Sequence, residues 1–390
     1  MRIGAITVRN FKSLLDVRLE LAKFTCLIGL NGAGKSTVLQ STDFLAAMVR
    51  GGVKDWLDKR RWKSSDLRCR LAAKRTSEFV VEVVSRNGKP VGTWMAHFSS
   101  STGRCTSESL ELPDGTLTVT GENLQITREA TSYSTSIGFN YEGSVLSALK
   151  DKLLTPKMIE FRDMILGVES LELLTPERLR ERTRTAAGTL GHGGRNLSAY
   201  VAELPDEKLK RLLAQLRRVY PELRSVASRS LRSGWKQLMA IETFGSTTLR
   251  TESRHLNDGM LRLMAILAEL MSERRVVLFD EIENGLNPEL IEFVMERLVR
   301  AAQQVLVTTH SPMILNYLDD EVARKGVLYL YRTAKGATQA IPFFSIPSMA
   351  EKLQFMGPGE VFVDTNLLHL ADEIAALESK GDSGVPASQR

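Results

Sequence analysis

Residues 29 to 36 form a run whose types and spacing could hold phosphate groups, Gly29-Leu30-Asn31-Gly32-Ala33-Gly34-Lys35-Ser36. Glycines let backbone N–H groups curl around an anion, and a helix that starts here adds the positive end of its dipole. In a G-x4-G-K-[ST] run the lysine reaches the β- and γ-phosphates of a nucleotide and the hydroxyl holds Mg²⁺. We therefore expect ATP to bind at Asn31, Gly32, Ala33, Gly34, Lys35, Ser36 and Thr37, with Mg²⁺ on Ser36.

A pair of carboxylates follows a second apolar run, Val276-Val277-Leu278-Phe279. A buried strand would deliver Asp280 to the Mg²⁺, since a hard cation prefers oxygen ligands. The adjacent Glu281 would point to the other face and polarise the attacking water as a general base. Together with the phosphate-binding run, this pair predicts ATP hydrolysis, with Lys35 and Glu281 as catalytic residues.

Two further segments could complete such a site. His310 follows the apolar run 305–307 and would lie at the ligand-binding edge of an α/β sheet, where it could contact the γ-phosphate or orient water. Asn257-Asp258-Gly259 opens a helix, in which Asn257 or Asp258 can act as the cap and Gly259 permits close approach of a phosphate. Taken alone, this second segment also fits an ordinary capped core helix.

The elements that must position these residues can be read from the hydrophobic pattern. Strands are predicted within 1–28 and over 78–140, where Asn87-Gly88 and Asp114-Gly115 mark turns. A helix is predicted from Lys35 to about Arg50, ended by Gly51-Gly52. Residues 144–232 read as helical without a heptad pattern, and the sheet resumes after about Lys236. This pattern predicts segments 1–143, 144–235, 236–345 and 346–390, with a flexible polar tail from residue 380.

Composition excludes several classes of protein. The 390 residues are 43% hydrophobic and 25% charged, which is ordinary for a globular chain, and no apolar run approaches the roughly 18 residues of a membrane span. The first residues lack a signal peptide, so a cytoplasmic protein without membrane contact is expected. Three scattered cysteines and five unclustered histidines do not favour a Cys/His metal site.

Positive charge is concentrated in one segment. The chain has a net charge of +6, and Arg50–Arg75 alone carries ten basic residues against three acidic ones. Such a stripe is typical of a nucleic-acid surface. A solvated surface or a site for an acidic protein partner is equally compatible with it.

The order of these motifs resembles the ABC-type ATPase heads of the SMC, RecF and OLD-nuclease group, especially the short stand-alone ATPases of bacteria. The resemblance runs through residues 6–13, the phosphate-binding run (Walker A), the signature-like Asn257-Asp258-Gly259, Walker B at Asp280-Glu281, a D-loop at 283–288 and a switch histidine at His310. It implies an α/β fold, a P-loop NTPase head with a mixed sheet, an antiparallel β-rich subdomain and a helical insertion without a long coiled coil.

The resemblance also implies how the sites are completed. In that family two heads enclose two ATP molecules, so a homodimer or higher oligomer is expected, with Asn257 and Gly259 reaching the partner's γ-phosphate. Lys12 lies where the family's entry strand approaches the nucleotide. The chain departs from the family at Asn257, where serine is usual, and at Asp258, where glycine is usual. The role of Asp258 and the position of a Q-loop, for which Gln40 and Gln125 are candidates, stay open.

Two functions are compatible with these observations. The first is an ATPase that controls a separate effector, such as a nuclease, or nucleic acid in bacterial anti-phage defence; the roughly 75 residues after Pro312 are too few for a nuclease domain. The alternative is a RecF-like DNA-repair ATPase whose helical insertion holds duplex DNA. A transporter subunit fits less well, because Asn10-Phe11-Lys12-Ser13 and the altered signature depart from that class.

Overall fold

Strands account for much of the chain in the computed structural model, which describes residues 1–128, 131–171, 174–186, 188–367, 369–370 and 373–374. In chain order the strands are β1 Arg2–Phe11, β2 Leu14–Glu20, β3 Phe24–Ile28, β4 Thr76–Val84, β5 Pro90–Ser99, β6 Arg104–Leu112, β7 Gly115–Thr120, β8 Asn123–Arg128, β9 Thr131–Ser136, β10 Val168–Leu171, β11 Leu223–Ser230, β12 Lys236–Phe244, β13 Thr247–Glu252, β14 Val276–Phe279, β15 Gln304–Thr308, β16 Val327–Arg332 and β17 Thr338–Pro342.

The helices are short, and α1, with 16 residues, is the longest in the described part of the chain. They are α1 Lys35–Arg50, α2 Val53–Arg60, α3 Pro156–Leu166, α4 Pro176–Leu179, α5 Leu197–Glu203, α6 Asp206–Leu216, α7 Asp258–Leu270, α8 Pro288–Val299, α9 Pro312–Asn316, α10 Asp320–Gly326, α11 Pro347–Lys352 and α12 Pro358–Val363. No helix of the described residues is long and apolar enough to cross a membrane.

The first compact unit comprises residues 1–163 and 308–390. Its large antiparallel sheet has the strand order β2-β1-β4-β5-β6-β7-β8-β9. Alternate positions of β4 are buried, as expected for a strand with one face on the core. The ring of Phe44 on α1 lies 5.0 to 5.8 Å from the rings of Phe11, Trp56, Phe79 and Phe98, so an aromatic cluster joins this helix to the sheet.

Three further strands of this unit lie beside the phosphate-binding run. All five residues of β3 are buried, and β3 pairs in parallel with β16, which pairs in antiparallel fashion with β17. Helix α1 begins directly after the loop that follows β3 and ends at Gly51, whose φ of 73° is the left-handed conformation of a glycine cap. The strand and the helix therefore fix both ends of the loop.

The second compact unit, residues 164–307, contains three parallel strands and a separate antiparallel sheet. Strands β10, β14 and β15 pair in parallel, and β14 is buried at all four positions. Strands β11, β12 and β13 form an antiparallel sheet. Helices α7 and α8 pack on each other within this unit. The parallel strands and these helices position the acidic pair and the Asn257 segment.

The predicted α/β fold, with a mixed sheet and an antiparallel β-rich part, is confirmed, and so are the helix from Lys35 to Arg50 and the turns before β5 and β7. The segment 144–232 is not helical throughout, because it also contains β10 and β11. Strand β10 has four residues and pairs with β14, which lies far along the chain, whereas β11 is rich in Arg and Ser and pairs with the next strand, β12. The four-segment division stays a prediction, and the polar tail from residue 380 lies outside the described residues.

A buried carboxylate fixes the loop that follows the antiparallel sheet. Glu108 on β6 is 1% exposed and accepts hydrogen bonds from Ser144 Oγ and the Val145 N–H, both at 2.6 Å, and from Trp94 Nε1 at 3.3 Å. Burial raises the pKa of Glu108 from 4.5 to about 7, although the three donors act in the opposite direction. Folding therefore takes up a proton at this side chain between pH 4.5 and 7.

We predict a pH-dependent effect of the Glu108→Gln substitution. Because the folded-state pKa is the higher one, Glu108 lowers the free energy of unfolding as pH rises from 4.5 to about 7, by up to about 3 kcal/mol. Glutamine does not titrate, so the variant should gain stability relative to the parent across this window in urea titrations. Glu111→Gln, at an exposed position of the same strand, is the control. Parallel pH curves for parent and Glu108→Gln would contradict the prediction.

Candidate nucleotide site

The loop between β3 and α1 has a backbone that favours glycine at three positions. The φ angle is +141° at Gly29, +76° at Gly32 and +109° at Gly34. A Cβ atom on Gly29 would collide with the carbonyl oxygen of Leu330, and one on Gly34 would lie 2.5 Å from Thr338 Oγ1. No described atom lies within 4 Å of a Cβ position on Gly32. The loop is thus held against strands on one side and open on the other, which fits an anion cradle.

Lys35 and His310 meet at this loop. The Lys35 side chain is buried, and its Nζ donates to the carbonyl oxygens of Gly29 at 2.8 Å and Leu30 at 3.2 Å. Nδ1 of the exposed His310 lies 3.5 Å from the same Nζ. A buried ammonium needs such oxygen partners. The two side chains that were predicted to face the γ-phosphate are therefore neighbours, although 275 residues separate them.

The remaining loop residues differ in exposure. Asn31 and Ser36 are exposed, Thr37 is half-buried and Ala33 is buried. No side chain caps the first turn of α1, because the cap residue is Gly34. The N–H groups of a first helical turn capped in this way suit an anion. Ser36 presents its hydroxyl at that turn, where a hard cation beside phosphate would find an oxygen ligand.

A groove of about 590 Å³ in the same unit is lined by Lys12, Trp62, Arg68, Arg70 and Arg332, among other residues. It adjoins the loop, because Arg332 Nε donates to the Gly32 carbonyl oxygen at 2.7 Å. Lys12 Nζ lies 3.7 Å from the centre of the Trp62 ring, a cation–π contact. Its ammonium also donates to Gln40 Oε1 at 2.8 Å. Lys12 therefore lies beside helix α1, and Gln40 is bonded to it.

The basic segment Arg50–Arg75 does not form one exposed stripe. Arg60 is bonded to Asp43 at 2.8 Å, its side chain is 8% exposed, and its guanidinium stacks on Trp56. Arg68 and Arg70 line the groove beside the loop. Arg61 and Lys63 remain exposed. A nucleic-acid surface on this segment would lack Arg60, because burial and ion pairing commit that side chain to the fold.

In the second unit the acidic pair follows the end of β14. Asp280 and Glu281 are half-buried, and Glu281 has a φ of +48°, which is uncommon outside glycine. The Asn284 N–H donates to the Glu281 carbonyl oxygen at 3.0 Å, and Asn284 Nδ2 lies 3.3 Å from Glu281 Oε2. Strain of this kind persists where surrounding contacts impose it, and here the turn does so. Asn287 then caps α8, and its side-chain oxygen accepts a hydrogen bond from the Leu290 N–H.

The signature-like segment caps α7. Asn257 Oδ1 accepts from the Met260 N–H at 2.7 Å, so Asn257 is the cap residue and is exposed. A Cβ atom on Gly259 would lie 3.0 Å from Leu290 Cδ1, so this glycine allows α8 to approach. The capping role weighed for Asn257 or Asp258 therefore belongs to Asn257.

Asp258 has a partner that the sequence did not reveal. The Arg180 guanidinium donates to Asp258 Oδ1 and, at 2.8 Å, to the Leu256 carbonyl oxygen. The negative charge that distinguishes this signature from the family pattern is therefore paired with a cation. The residues lie 78 positions apart, and no spacing rule connects them.

Arg262, one turn further along α7, was also missed. It is 7% exposed, and its Nε has no hydrogen-bond partner among the described residues. A Cβ on Gly285 would lie 3.0 Å from this Nε, so the D-loop turn packs on the guanidinium. Burial lowers the pKa of Arg262, while Asp258 and Glu281 act in the opposite direction. An arginine at this position of an apolar helix was the only signal in the sequence.

Comparisons with known proteins agree with this geometry. Residues 1–82 match the family model described as "AAA ATPase domain", and residues 221–316 match the one described as "AAA domain, putative AbiEii toxin, Type IV TA system". The first segment contains the loop and Lys35, and the second contains Asn257, Asp280 and His310. The chain is a P-loop ATPase. A search of curated proteins gives no match.

Solved structures show the fold of this ATPase. An SMC head bound to the C-terminal winged-helix domain of ScpA superposes with a TM-score of 0.52 at 13% identity, covering 87% of this chain and 97% of the other. An Smc head with an extended coiled coil, bound to the C-terminal domain of ScpA from Pyrococcus furiosus, gives 0.50 at 13% identity, covering 90% and 99%. The predicted SMC-like ABC-type ATPase fold is thereby confirmed.

We predict that Lys35→Ala lowers ATP affinity by about 10- to 100-fold, because a charge-assisted contact to phosphate is lost. Titration calorimetry with ATP measures the effect. Lys23→Ala removes the same charge at an exposed position and should bind ATP like the parent. Undiminished affinity in Lys35→Ala would contradict the assignment of the loop.

A double-mutant cycle tests the pairing of Asp258. We expect Arg180→Ala and Asp258→Ala to show a coupling free energy of about 1 kcal/mol in urea unfolding, since the pair is only partly exposed. The Lys210–Glu207 pair, whose side chains are 74% and 78% exposed, should couple by less than about 0.5 kcal/mol. Additive effects at Arg180 and Asp258 would show that the pair contributes nothing.

Proposed function

We propose that this chain is a Mg²⁺-dependent ATPase in which two copies enclose ATP and thereby control a separate effector protein or nucleic acid. The observation that carries the proposal is the Lys35–His310 pair at the glycine cradle. Both side chains lie at a loop that is packed against strands on one side, so they suit the terminal phosphate of a nucleotide held in that loop. A glycine-rich turn with a lysine but no phosphate-binding role would have no reason to place a histidine beside that lysine.

The chemistry of the site assigns a role to each group. Lys35 and the loop from Asn31 to Thr37 hold the phosphates, and Lys12 with the adjoining groove takes the nucleoside end. Ser36 and Asp280 supply the oxygen ligands for Mg²⁺, which neutralises charge on the phosphates. Glu281 accepts a proton from the attacking water, and its strained backbone fixes the carboxylate.

The signature turn supports the dimer. Asn257 and Asp258 are exposed at the N-terminal end of α7, while the rest of that helix is mostly buried. An exposed, capped helix start is suited to a phosphate held by another copy. Arg180 neutralises Asp258, so the carboxylate does not repel the triphosphate there. Asn257 and Gly259 are then the residues that would reach the partner's nucleotide.

The descriptions of the matched proteins support the proposed control of a separate effector in bacterial defence. The model that matches residues 221–316 refers to a toxin–antitoxin system, which favours bacterial defence. Both SMC heads reported above are bound to ScpA, so heads of this fold bind separate protein chains. The second candidate, a RecF-like repair ATPase, is favoured by the concentration of arginine in residues 178–236.

The proposed base and dimer are tested by two substitutions. Glu281→Gln should bind ATP but hydrolyse it about 10²–10⁴-fold more slowly, because the general base is lost, and should accumulate an ATP-dependent dimer in light scattering. Glu289→Gln, exposed at the start of α8, is the control and should turn over normally. Asn257→Arg should bind ATP without associating. Normal turnover in Glu281→Gln, or normal association in Asn257→Arg, would contradict the respective role.

The effector protein can be identified with the same variant. The Glu281→Gln protein, purified with ATP from its native host, should retain a separate effector chain. Recovery of DNA without a protein partner would favour the repair alternative instead.

A further inference from the structure

A second concentration of positive charge lies in the second unit. Residues 178–236 contain fourteen Lys and Arg against five Asp and Glu, a net charge of +9, which exceeds the +6 of the whole chain. The Arg50–Arg75 segment is partly buried, as described above, so this second concentration is the stronger candidate for contact with a polyanion.

Backbone pairing gathers part of this charge on one sheet. Thr183 and Lys236 exchange backbone hydrogen bonds of 3.4 and 2.8 Å, which places the chain around Thr183 beside the start of β12. On the other side of β12, Ser230 pairs with Lys236. The Leu231 N–H donates to the Trp235 carbonyl oxygen at 2.7 Å and closes the turn between β11 and β12. The chain around Thr183 thus lies beside one edge of β12, whose other edge pairs with β11.

The register decides which side chains share a face. Extending the antiparallel register of the Thr183–Lys236 bridge would set Arg182 opposite Gln237 and Arg184 opposite Trp235, and the Arg184 guanidinium does lie 5.1 Å from the Trp235 ring centre. Directly paired residues point to the same face of a sheet, as do alternate residues of one strand. Arg229 pairs with Gln237, and Arg250 pairs with Ile241, two alternate positions further along β12. The resulting set, which we name the basic face, consists of Arg182, Arg184, Arg229, Trp235 and Arg250.

The charge of the basic face is not balanced by carboxylates. Each of its arginines is exposed, and within the described residues none forms an ion pair. Glu252 on β13 points to the same face, but it is bonded to Arg254 at 3.0 Å and to Gln237 at 2.9 Å. Four guanidinium groups therefore remain for a ligand with several negative charges.

Trp235 identifies the kind of polyanion. It is 40% exposed at one end of this set, and the Arg184 guanidinium lies 5.1 Å from its ring centre. We propose that the basic face binds single-stranded nucleic acid, with a base stacked on Trp235 and phosphates on the arginines. Aromatic rings interleaved with cations bind single strands because every base has a flat face to stack.

Two other polyanions fit less well. A duplex keeps its bases stacked on each other, so it would leave the Trp235 ring without a role. An acidic protein segment would pair with the arginines but has no planar group for the ring. The proposal concerns a surface distinct from the nucleotide site, and it does not rest on the ATP chemistry proposed above.

The experiment uses the full chain and a fluorescein-labelled thymidine 30-mer, with binding measured by anisotropy over a series of salt concentrations. Trp235→Ala should weaken binding by about 5- to 100-fold, the range for removing one stacking side chain. Arg182→Ala/Arg184→Ala should reduce the slope of log K against log salt by about 1.4, because two phosphate contacts are lost. Unlabelled 30-mer should quench tryptophan fluorescence in the parent and less in Trp235→Phe, since Trp56 and Trp94 are buried and the half-buried Trp62 ring is covered by the Lys12 ammonium.

The matched control is Lys210→Ala/Arg211→Ala on α6, which removes two exposed charges from the same unit. It should bind the 30-mer nearly as well as the parent, and Trp235→Ala should keep the parent's melting temperature and ATPase rate. Equal affinity of Trp235→Ala and parent would overturn the proposal. So would equal losses in the two double variants, tighter binding of a 30-base-pair duplex, or equally tight binding of a poly-glutamate peptide.

Discussion

The close approach of the phosphate-binding loop to its neighbouring strands is the constraint on which the site depends. Gly29 passes against the backbone of β16 and Gly34 against Thr338 of β17, and neither position has room for a side chain. Both glycines also need a positive φ. Since the strands occupy one side of the loop, its remaining polar groups face the other side. That asymmetry makes the loop a cradle, and the buried Lys35 ammonium is bonded to its carbonyl oxygens.

The second theme is how the fold handles charge. Lys35 is buried but has carbonyl partners, Arg60 is buried against Asp43, and Asp258 is paired with Arg180. A charge held by such a partner is less available to a ligand from outside, so these residues serve the fold or the site directly. Only unpaired, exposed cations can attract a distant polyanion. On that criterion the basic face is a better candidate for a nucleic-acid surface than the Arg50–Arg75 segment.

The proposed site residues belong to two compact units, and each unit has its own supporting contacts. In the first, the aromatic cluster around Phe44 anchors α1, whose first residue is Lys35. In the second, the buried strand β14 leads directly to Asp280 and Glu281, and α7 presents Asn257 at its start. Arg262 packs against the D-loop behind that helix. A change in either core would therefore act on a different set of the proposed site residues.

The sequence alone determined the elements whose causes are local. The glycine spacing of the loop, the helix from Lys35 to Arg50 and the apolar run before Asp280 follow from backbone conformation and hydrophobic period, which neighbouring residues express. The motif order then identified the ATPase fold. The features that the sequence did not reveal depend on pairing between residues that are not sequence neighbours. Strand β10, the neutralisation of Asp258 by Arg180, the burial of Arg60 and the face shared by Arg182 and Trp235 each need a partner that is not a neighbour in the sequence. Tertiary structure alone decides which of many distant residues becomes that partner, because no local propensity distinguishes a charge that will be buried from one that will stay exposed.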